Sequence, residues 1–177
     1  MLTGEGADEL FAGYAYHKLI EEPQALAAEL VRSLRNLHNI NLQRVDRLTM
    51  AHSLEGRVPF LDLEVIETAL SIPAELELPS FGGHEKWLLR AAVEDLLPHD
   101  IVWRGKAQFD EGTGIADLLP SLTSHLAAKL DASTYATRFT EARLRSPEEC
   151  VYHQLLRESA DNPESLLANV GRWAARS

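Results

Sequence analysis

The sequence predicts a predominantly α-helical fold belonging to a larger α/β arrangement, and three observations carry that expectation. Apolar residues recur at helical spacing through most of the 177 residues. No strand-rich stretch, internal repeat, heptad array or low-complexity tract interrupts the pattern. The chain nevertheless opens on Thr3-Gly4-Glu5-Gly6-Ala7-Asp8-Glu9, a Gly-rich turn of the kind found at the carboxyl end of a strand in an open α/β sheet. With only Met1 and Leu2 before it, the chain reads as though it begins in the middle of a domain.

The opening turn organises the rest of the chain. Glycine lets a backbone turn tightly and approach a ligand, because no Cβ intervenes. Glu5, Asp8 and Glu9 stand at i, i+3 and i+4, so a helix starting within the run would place all three on one face of its first turn. The helix dipole favours acidic groups there, and ordinary capping explains an isolated turn of this type. Three carboxylates behind two glycines exceed what capping needs and mark a candidate metal or reacting-group site.

Ala7, Leu10, Phe11, Tyr14 and Leu19 extend a helical pattern from Gly6 to Ile20. Pro23 suits the first position of a second helix with a Leu26, Leu30, Leu34 and Leu37 stripe facing the core. A third spans Asn39 to Ala51, with Leu42, Val45, Leu48 and Thr49 on one side and Asn39 and Asn41 as candidate caps. Pro59 breaks the chain after Val58. Asp62 then caps a fourth helix whose inward residues are Leu63, Ile66 and Leu70, ended by Ile72-Pro73. After the loop at 79–83, a fifth runs from Glu85 to Leu97, stopped by Pro98, with Lys86 and Arg90 on one face at i and i+4. Trp103 to Gly114 reads as loop. Ile115 to Leu130 is a weaker helix with Leu118, Leu122 and Leu126 as its stripe. Ser146-Pro147-Glu148-Glu149 is a capping box opening a helix that buries Val151, Leu155 and Leu156, and Asn162-Pro163 opens a last short one.

Composition narrows the function classes. A hydrophobic content of 45% with 25% charged residues is ordinary for a globular chain. The length suits one domain, or a large part of one. The net charge of −10 argues against a nucleic-acid partner, which calls for a basic face. Residues 1–31 hold six carboxylates against one basic group, Lys18. One cysteine, Cys150, excludes an internal disulfide and fits a reducing compartment. No apolar run reaches membrane-spanning length and no signal pattern comes after Met1, so the expectation is a cytoplasmic protein without a membrane partner. The seven histidines lack HExxH or HxxxH spacing, which disfavours zinc. Neither Ser53 nor Cys150 has the context of a nucleophile.

Lys86, Arg90, Arg104 and Lys106 gather around a Gly-rich loop in an acidic chain. They form either a subsite for an anion such as phosphate, with Lys106 as a point charge, or surface partners for the abundant carboxylates. Glu55 and Arg57, two apart in an extended segment, point the same way. Arg57 is placed either to fork onto a substrate carboxylate or to pair with Glu55 and hold the turn.

Four ordered motifs carry a family resemblance. Thr3-Gly4-Glu5-Gly6-Ala7-Asp8-Glu9-Leu10-Phe11-Ala12-Gly13-Tyr14 resembles a signature of the glutamine-dependent asparagine synthetases. So do Val45 to Asp62, containing Ser53-Leu54-Glu55-Gly56-Arg57-Val58-Pro59-Phe60-Leu61-Asp62, and Lys86-Trp87-Leu88-Leu89-Arg90. Trp103-Arg104-Gly105-Lys106-Ala107-Gln108-Phe109-Asp110-Glu111-Gly112 completes the set, and Ser146 to Tyr152 resembles the segment near the family's carboxyl end. The match covers residues 1 to about 160.

The resemblance implies the mostly helical C-terminal portion of an α/β, adenine-nucleotide α-hydrolase-like synthetase domain, with 1–177 as one partial domain. It implies ATP and Mg²⁺, aspartate as the second substrate, and amide formation with glutamine-derived ammonia. On that model Gly4 lies against the nucleotide and Asp8 is a magnesium ligand. Lys106 stabilises charge on the phosphates and the acyl centre, with Lys86 as a second cation. Glu5 orients or deprotonates ammonia, while Arg57 and Glu55 place the substrate. The family's Ser-Gly-Gly-x-Asp-Ser phosphate loop and its glutaminase domain do not occur among these residues, and Leu2 stands after Met1 where that domain has its cysteine. The expectation is therefore a fragment, inactive alone, whose partner is that N-terminal portion in cis or trans. Two alternatives remain at this level. One is a β-lactam or lasso-peptide cyclase on the same scaffold, from which Glu5 leans away, since β-lactam-forming relatives commonly carry tyrosine there. The other is a non-catalytic helical module that binds a partner.

Overall fold

The computed structural model describes residues 1–78, 82–107, 115–168 and 170, and the chain divides into two compact units that meet in sequence at Gly105 and Lys106. Helix dominates both. Among the described residues the β-structure is a single parallel bridge between Leu2 and Arg57. It is closed by the Thr3 amide donating to the Arg57 carbonyl at 2.8 Å and the Arg57 amide to the Met1 carbonyl at 2.7 Å.

In the first unit, helix α1 is one turn, Ala7–Leu10, rather than the long helix expected to Ile20. Gly6 precedes it at φ 95°, and Ala12 comes after it in the left-handed region at φ 50°. The Gly13 amide then donates to the Asp8 carbonyl at 2.9 Å, the six-to-one bond that ends a helix. A separate 3₁₀ turn covers Ala15–Leu19 and leaves Leu19 exposed. Helix α2, Pro23–Asn36, forms as the sequence predicts, with Leu26 and Leu30 buried against Ala12 and with Ile20 and Leu78 packed around them. Leu37 is buried in the next 3₁₀ turn, while Leu34 is only partly buried.

Helix α3, Asn41–Met50, buries no residue, and Leu48 faces solvent. Neither Asn39 nor Asn41 caps it, because Ile40 occupies the cap position and the Asn41 amide is engaged elsewhere. Helix α4, Leu63–Ser71, is capped by Asp62, whose Oδ1 accepts from the Glu64 amide at 2.9 Å. Its inward residue is Ala69, flanked by Val65 and Ile66, so Leu63 and Leu70 are exposed against expectation. Helix α5 is only Trp87–Ala92, and α6, His99–Val102, comes after Pro98. Lys86 sits outside α5 at φ 55°, which takes it off the face expected to hold Arg90 as well.

In the second unit α7, Ile115–Ala127, packs on α9, Pro147–Ser159. Helix α7 turns its Leu118, Leu122 and Leu126 stripe to solvent and buries Thr123 instead. Helix α8, Ala132–Arg138, is capped by Asp131 and packs on α9, where the Tyr135 hydroxyl lies 2.9 Å from Nδ1 of the buried His153. The predicted cap of α9 is present: Ser146 Oγ accepts from the Glu149 amide at 3.2 Å, and Glu149 reaches the Arg145 amide at 2.7 Å. Cys150, Val151 and His153 are its buried residues, whereas Leu155 is exposed. Asn162 caps α10, Pro163–Leu167, as its sequence predicts. Much of the Trp103 to Gly114 loop lies outside the described residues, as does most of the break at 79–83.

Candidate functional site

The opening turn is built around Gly6. Its φ of 95° is one that L side chains rarely adopt, and an added Cβ would lie 2.5 Å from a Leu61 methyl. This kink ends any helix that would have run through Glu5. The three carboxylates consequently do not share one face, contrary to the sequence expectation. Each takes a separate partner.

Glu5 lies before the helix and pairs with Arg44 of α3 at 3.5 Å. Asp8, on α1, pairs with Lys86 Nζ at 3.1 Å, and both side chains are about a quarter exposed (28% and 23%). Glu9 turns inward. It is 1% exposed and accepts from the Tyr14 hydroxyl and, at 3.3 Å, from the Asn41 amide. The Asn41 amide also donates to the Tyr14 oxygen at 2.9 Å. Burial raises the Glu9 pKa against the lowering effect of the Tyr14 hydrogen bond, and the same burial with the Glu9 contact drives the Tyr14 phenol far up.

The Asp8–Lys86 pair rests on bare backbone. A Cβ on Gly13 would come within 2.0 Å of Asp8 Oδ1 and 2.5 Å of Lys86 Cε, so glycine is what lets the pair settle there. Gly4 differs, because its Cβ direction meets nothing within 4 Å and opens on free space. The turn therefore presents two charge pairs, Asp8 with Lys86 and the half-buried Glu5 with Arg44, and unobstructed backbone at Gly4.

The second expected pair is present in its structural form. Arg57 Nη2 lies 3.0 Å from Glu55 Oε1, with both side chains about two-thirds exposed. The four cations expected around the loop do not act alike. Lys86 faces Asp8, whereas Arg90 donates to the Glu85 carbonyl at 2.7 Å, to the Val102 carbonyl and to the Arg104 carbonyl at 3.1 Å. Arg90 is thus a backbone latch rather than an anion ligand. Arg104 is exposed, and Lys106 is a half-buried residue of the second unit.

Among the described residues no group of three His, Cys, Asp or Glu side chains could hold a metal ion. Asp8 offers a single hard oxygen donor, which suits the way Mg²⁺ is taken up through one or two carboxylates together with substrate phosphates. No described helix is long and apolar enough to cross a membrane. Cys150 is buried, and that burial pushes its thiol pKa up, away from nucleophilic use.

The sequence offers Asn41 only as a candidate cap and singles out neither Arg44 nor the inward turn of Glu9. Gly13 has no stated role in the opening motif, and Tyr14 enters there only as part of the expected helix to Ile20. The spacing from Glu9 to Tyr14 could have been found only by knowing that α1 stops after one turn.

The family model for asparagine synthase matches residues 18–175. An asparagine synthetase (glutamine-hydrolysing) of chicken is 44% identical over 98% of this chain and 32% of its own length. A probable asparagine synthetase of fission yeast is 42% identical over 64% of this chain and 22% of its own. The asparagine synthetase of Brassica oleracea is 39% identical over 74% of this chain and 23% of its own. The chain thus spans less than a third of the length of these relatives.

Proposed function

The chain belongs to the asparagine synthase family, and from that premise we propose that it contributes part of an α/β synthetase site that makes asparagine from aspartate, ATP and glutamine-derived ammonia. The observation that carries this reading is the Asp8–Lys86 pair at 3.1 Å, laid over Gly13 beside the open backbone of Gly4. A surface ion pair has no need of a glycine floor, whereas a site for a polyphosphate needs a carboxylate, a cation and room for backbone approach.

In this proposal the aspartate side-chain oxygen bonds to the α-phosphorus of ATP as the bond to pyrophosphate breaks. Ammonia then bonds to the acyl carbon, AMP departs and the ammonia proton leaves to a base. Charge builds on phosphorus and on the leaving pyrophosphate, so fixed positive groups lower the barrier. Asp8 would hold Mg²⁺ together with the substrate phosphates, and the ion would supply neutralisation of that charge. Lys86 is set against Asp8 to share the load as the second cation, and the main charge-stabilising role that the family resemblance implies falls to Lys106. Glu5, half-buried and 3.5 Å from Arg44, would orient or deprotonate ammonia. The Glu55–Arg57 pair would open to admit the aspartate carboxylate, an exchange that exposed ion pairs permit at little cost. The phosphate-binding loop and the glutaminase chemistry would come from sequence beyond these residues, in cis or trans.

The test is a chimera joining this chain to the amino-terminal portion of the chicken relative, assayed for aspartate-dependent exchange of pyrophosphate into ATP. Exchange is expected in the chimera and not in the 177-residue chain alone. Lys106→Ala should lower it by about 10²–10³-fold, the scale of one preorganised charge-stabilising donor. A folded chimera without aspartate-dependent exchange would overturn the reading. Gly4→Ala separates ligand approach from folding: its Cβ meets nothing, so thermal unfolding should be unchanged while the KM for ATP rises.

A further inference from the structure

Helix α1 is too short to hold itself together. One turn fixes several dihedrals for very few hydrogen bonds, and such a piece is unstable unless tertiary contacts fix it. Its exit is also strained, because Ala12 adopts φ 50° at a position where glycine is usual. A non-glycine residue persists in that region only where its surroundings over-determine the conformation, and such strain collects at functional sites.

Four hydrogen bonds close the strained segment. The Gly13 amide donates to the Asp8 carbonyl at 2.9 Å. The Tyr14 hydroxyl donates to the Glu9 carboxylate, and the Asn41 amide donates to both the Glu9 oxygen at 3.3 Å and the Tyr14 oxygen at 2.9 Å. Glu9 is 1% exposed, and burying a carboxylate costs free energy that hydrogen bonds only partly return. An apolar side chain would fill the same space without that cost. The carboxylate has a reason to be there only if its directed bonds matter.

Their direction supplies the reason. Glu9 and Asp8 are neighbours on one helical turn, so fixing the inward side chain fixes the rotation of the outward one. The Tyr14 end of the clamp sets the path of residues 11–14, including Gly13, whose bare backbone is the floor beneath Asp8 and Lys86. Asn41 ties that floor to the first residue of α3, the helix that also carries Arg44 against Glu5.

We propose that Glu9, clamped by Tyr14 and Asn41, is a positioning residue that holds the Asp8 carboxylate against Lys86 over Gly13. Its relevance to catalysis rests on the assignment of the Asp8–Lys86 pair to a polyphosphate site, but the geometry itself does not depend on that assignment. The clamp fixes where the pair stands, and Glu9 touches neither substrate nor nucleotide.

The test reads Lys86 directly in the 177-residue chain, without nucleotide or aspartate. The chain is treated with trace acetic anhydride, and the acetylation rates of Lys86 and of exposed Lys129 are tracked by peptide mass spectrometry. Tyr14→Phe keeps the ring and its stacking on Tyr16 at 5.4 Å but removes the hydroxyl. Lys86 should then label about three- to tenfold faster, the range that corresponds to one lost hydrogen bond, while Lys129 is unchanged. Glu9→Ala should do the same, and Glu9→Gln, whose amide oxygen still accepts from Tyr14, should keep the wild-type rate. Should Glu9→Ala fail to fold, Tyr14→Phe decides alone. Unchanged Lys86 labelling in a folded Tyr14→Phe chain overturns the proposal, as does an equal rise at Lys86 and Lys129. A chimera inactive in exchange but with this labelling pattern would overturn the function and leave the clamp standing.

Discussion

Glu77 ends the 3₁₀ turn Ala74–Glu77 with both carboxylate oxygens shielded from solvent and, among the described residues, without a hydrogen-bond partner. Burial alone pushes its pKa from 4.5 up to about 7. The folded chain therefore holds this proton more tightly than the unfolded chain. The stabilising contribution is complete below pH 4.5, declines as pH rises, and is gone above about 7. Glu77→Gln should remove that dependence, leave stability at pH 4 nearly unchanged and raise it at pH 8 by about 1–3 kcal/mol, the cost of an unsatisfied buried group. Chemical denaturation at the two pH values checks this, and equal shifts at both would refute it. Gly13 makes the opposite case, a residue that cannot grow. Gly13→Ala places a carbon 2.8 Å from the Asp8 Cα as well as against the Asp8 and Lys86 side chains, and backbone does not move aside. Overpacking of this kind costs about 1–3 kcal/mol. A thermal melt of Gly13→Ala matching wild type would show that the turn relaxes freely. Both residues stand plainly in the sequence, yet neither role was readable there, since a shielded carboxylate and a glycine floor are properties of what folds over them.

At the scale of elements, ends were more legible than faces. Asp62, Ser146 and Asn162 each accept from the amide that their motif assigns, because capping is settled within four residues of chain. Faces depend on what lies opposite. The period was right in α4 and α7, but Leu63, Leu70, Leu118 and Leu122 face solvent, since a helical repeat fixes which residues align and not which side meets the core. The fifth helix was overread for another reason. Lys86 adopts a left-handed backbone and Arg90 spends its guanidinium on carbonyls across 85–104, neither of which a charge pattern reveals. That latch is testable. Arg90→Ala strips donors from three carbonyls and should cost about 1.5–3 kcal/mol, the scale of bonds to a charged group. Lys in its place lacks the planar fork and should restore little. Hydrogen exchange read over His99–Val102 should quicken in both variants, while exchange in α2 should not. Uniform quickening would mean that Arg90 serves the unit as a whole.

For the whole molecule, the motifs carried the family and named Glu5, Asp8 and Lys86 as candidates, because these sit in runs whose order is itself the signal. What the motifs could not carry was the separation of the three carboxylates by Gly6, or the boundary between units at Gly105 and Lys106. The final positions of the apolar residues have a consequence for association. In the second unit, Leu118 at 60%, Leu122 at 63% and Leu126 at 40% exposure recur every four residues and so form one contiguous stripe on α7. Single exposed leucines need no explanation, but an aligned row is a patch, and patches beyond a few hundred Å² drive association. The 177-residue chain should therefore bind a hydrophobic dye such as ANS and sediment with a weight-average mass that rises with concentration above 19.7 kDa. Replacing Leu118, Leu122 and Leu126 together with Gln should lower both signals while keeping the helical circular dichroism, since glutamine favours helix about as well as leucine and all three leucines are exposed. Helicity retained with dye binding undiminished would assign the exposed surface to another part of the chain. Loss of helicity would show that the stripe is buried in solution after all.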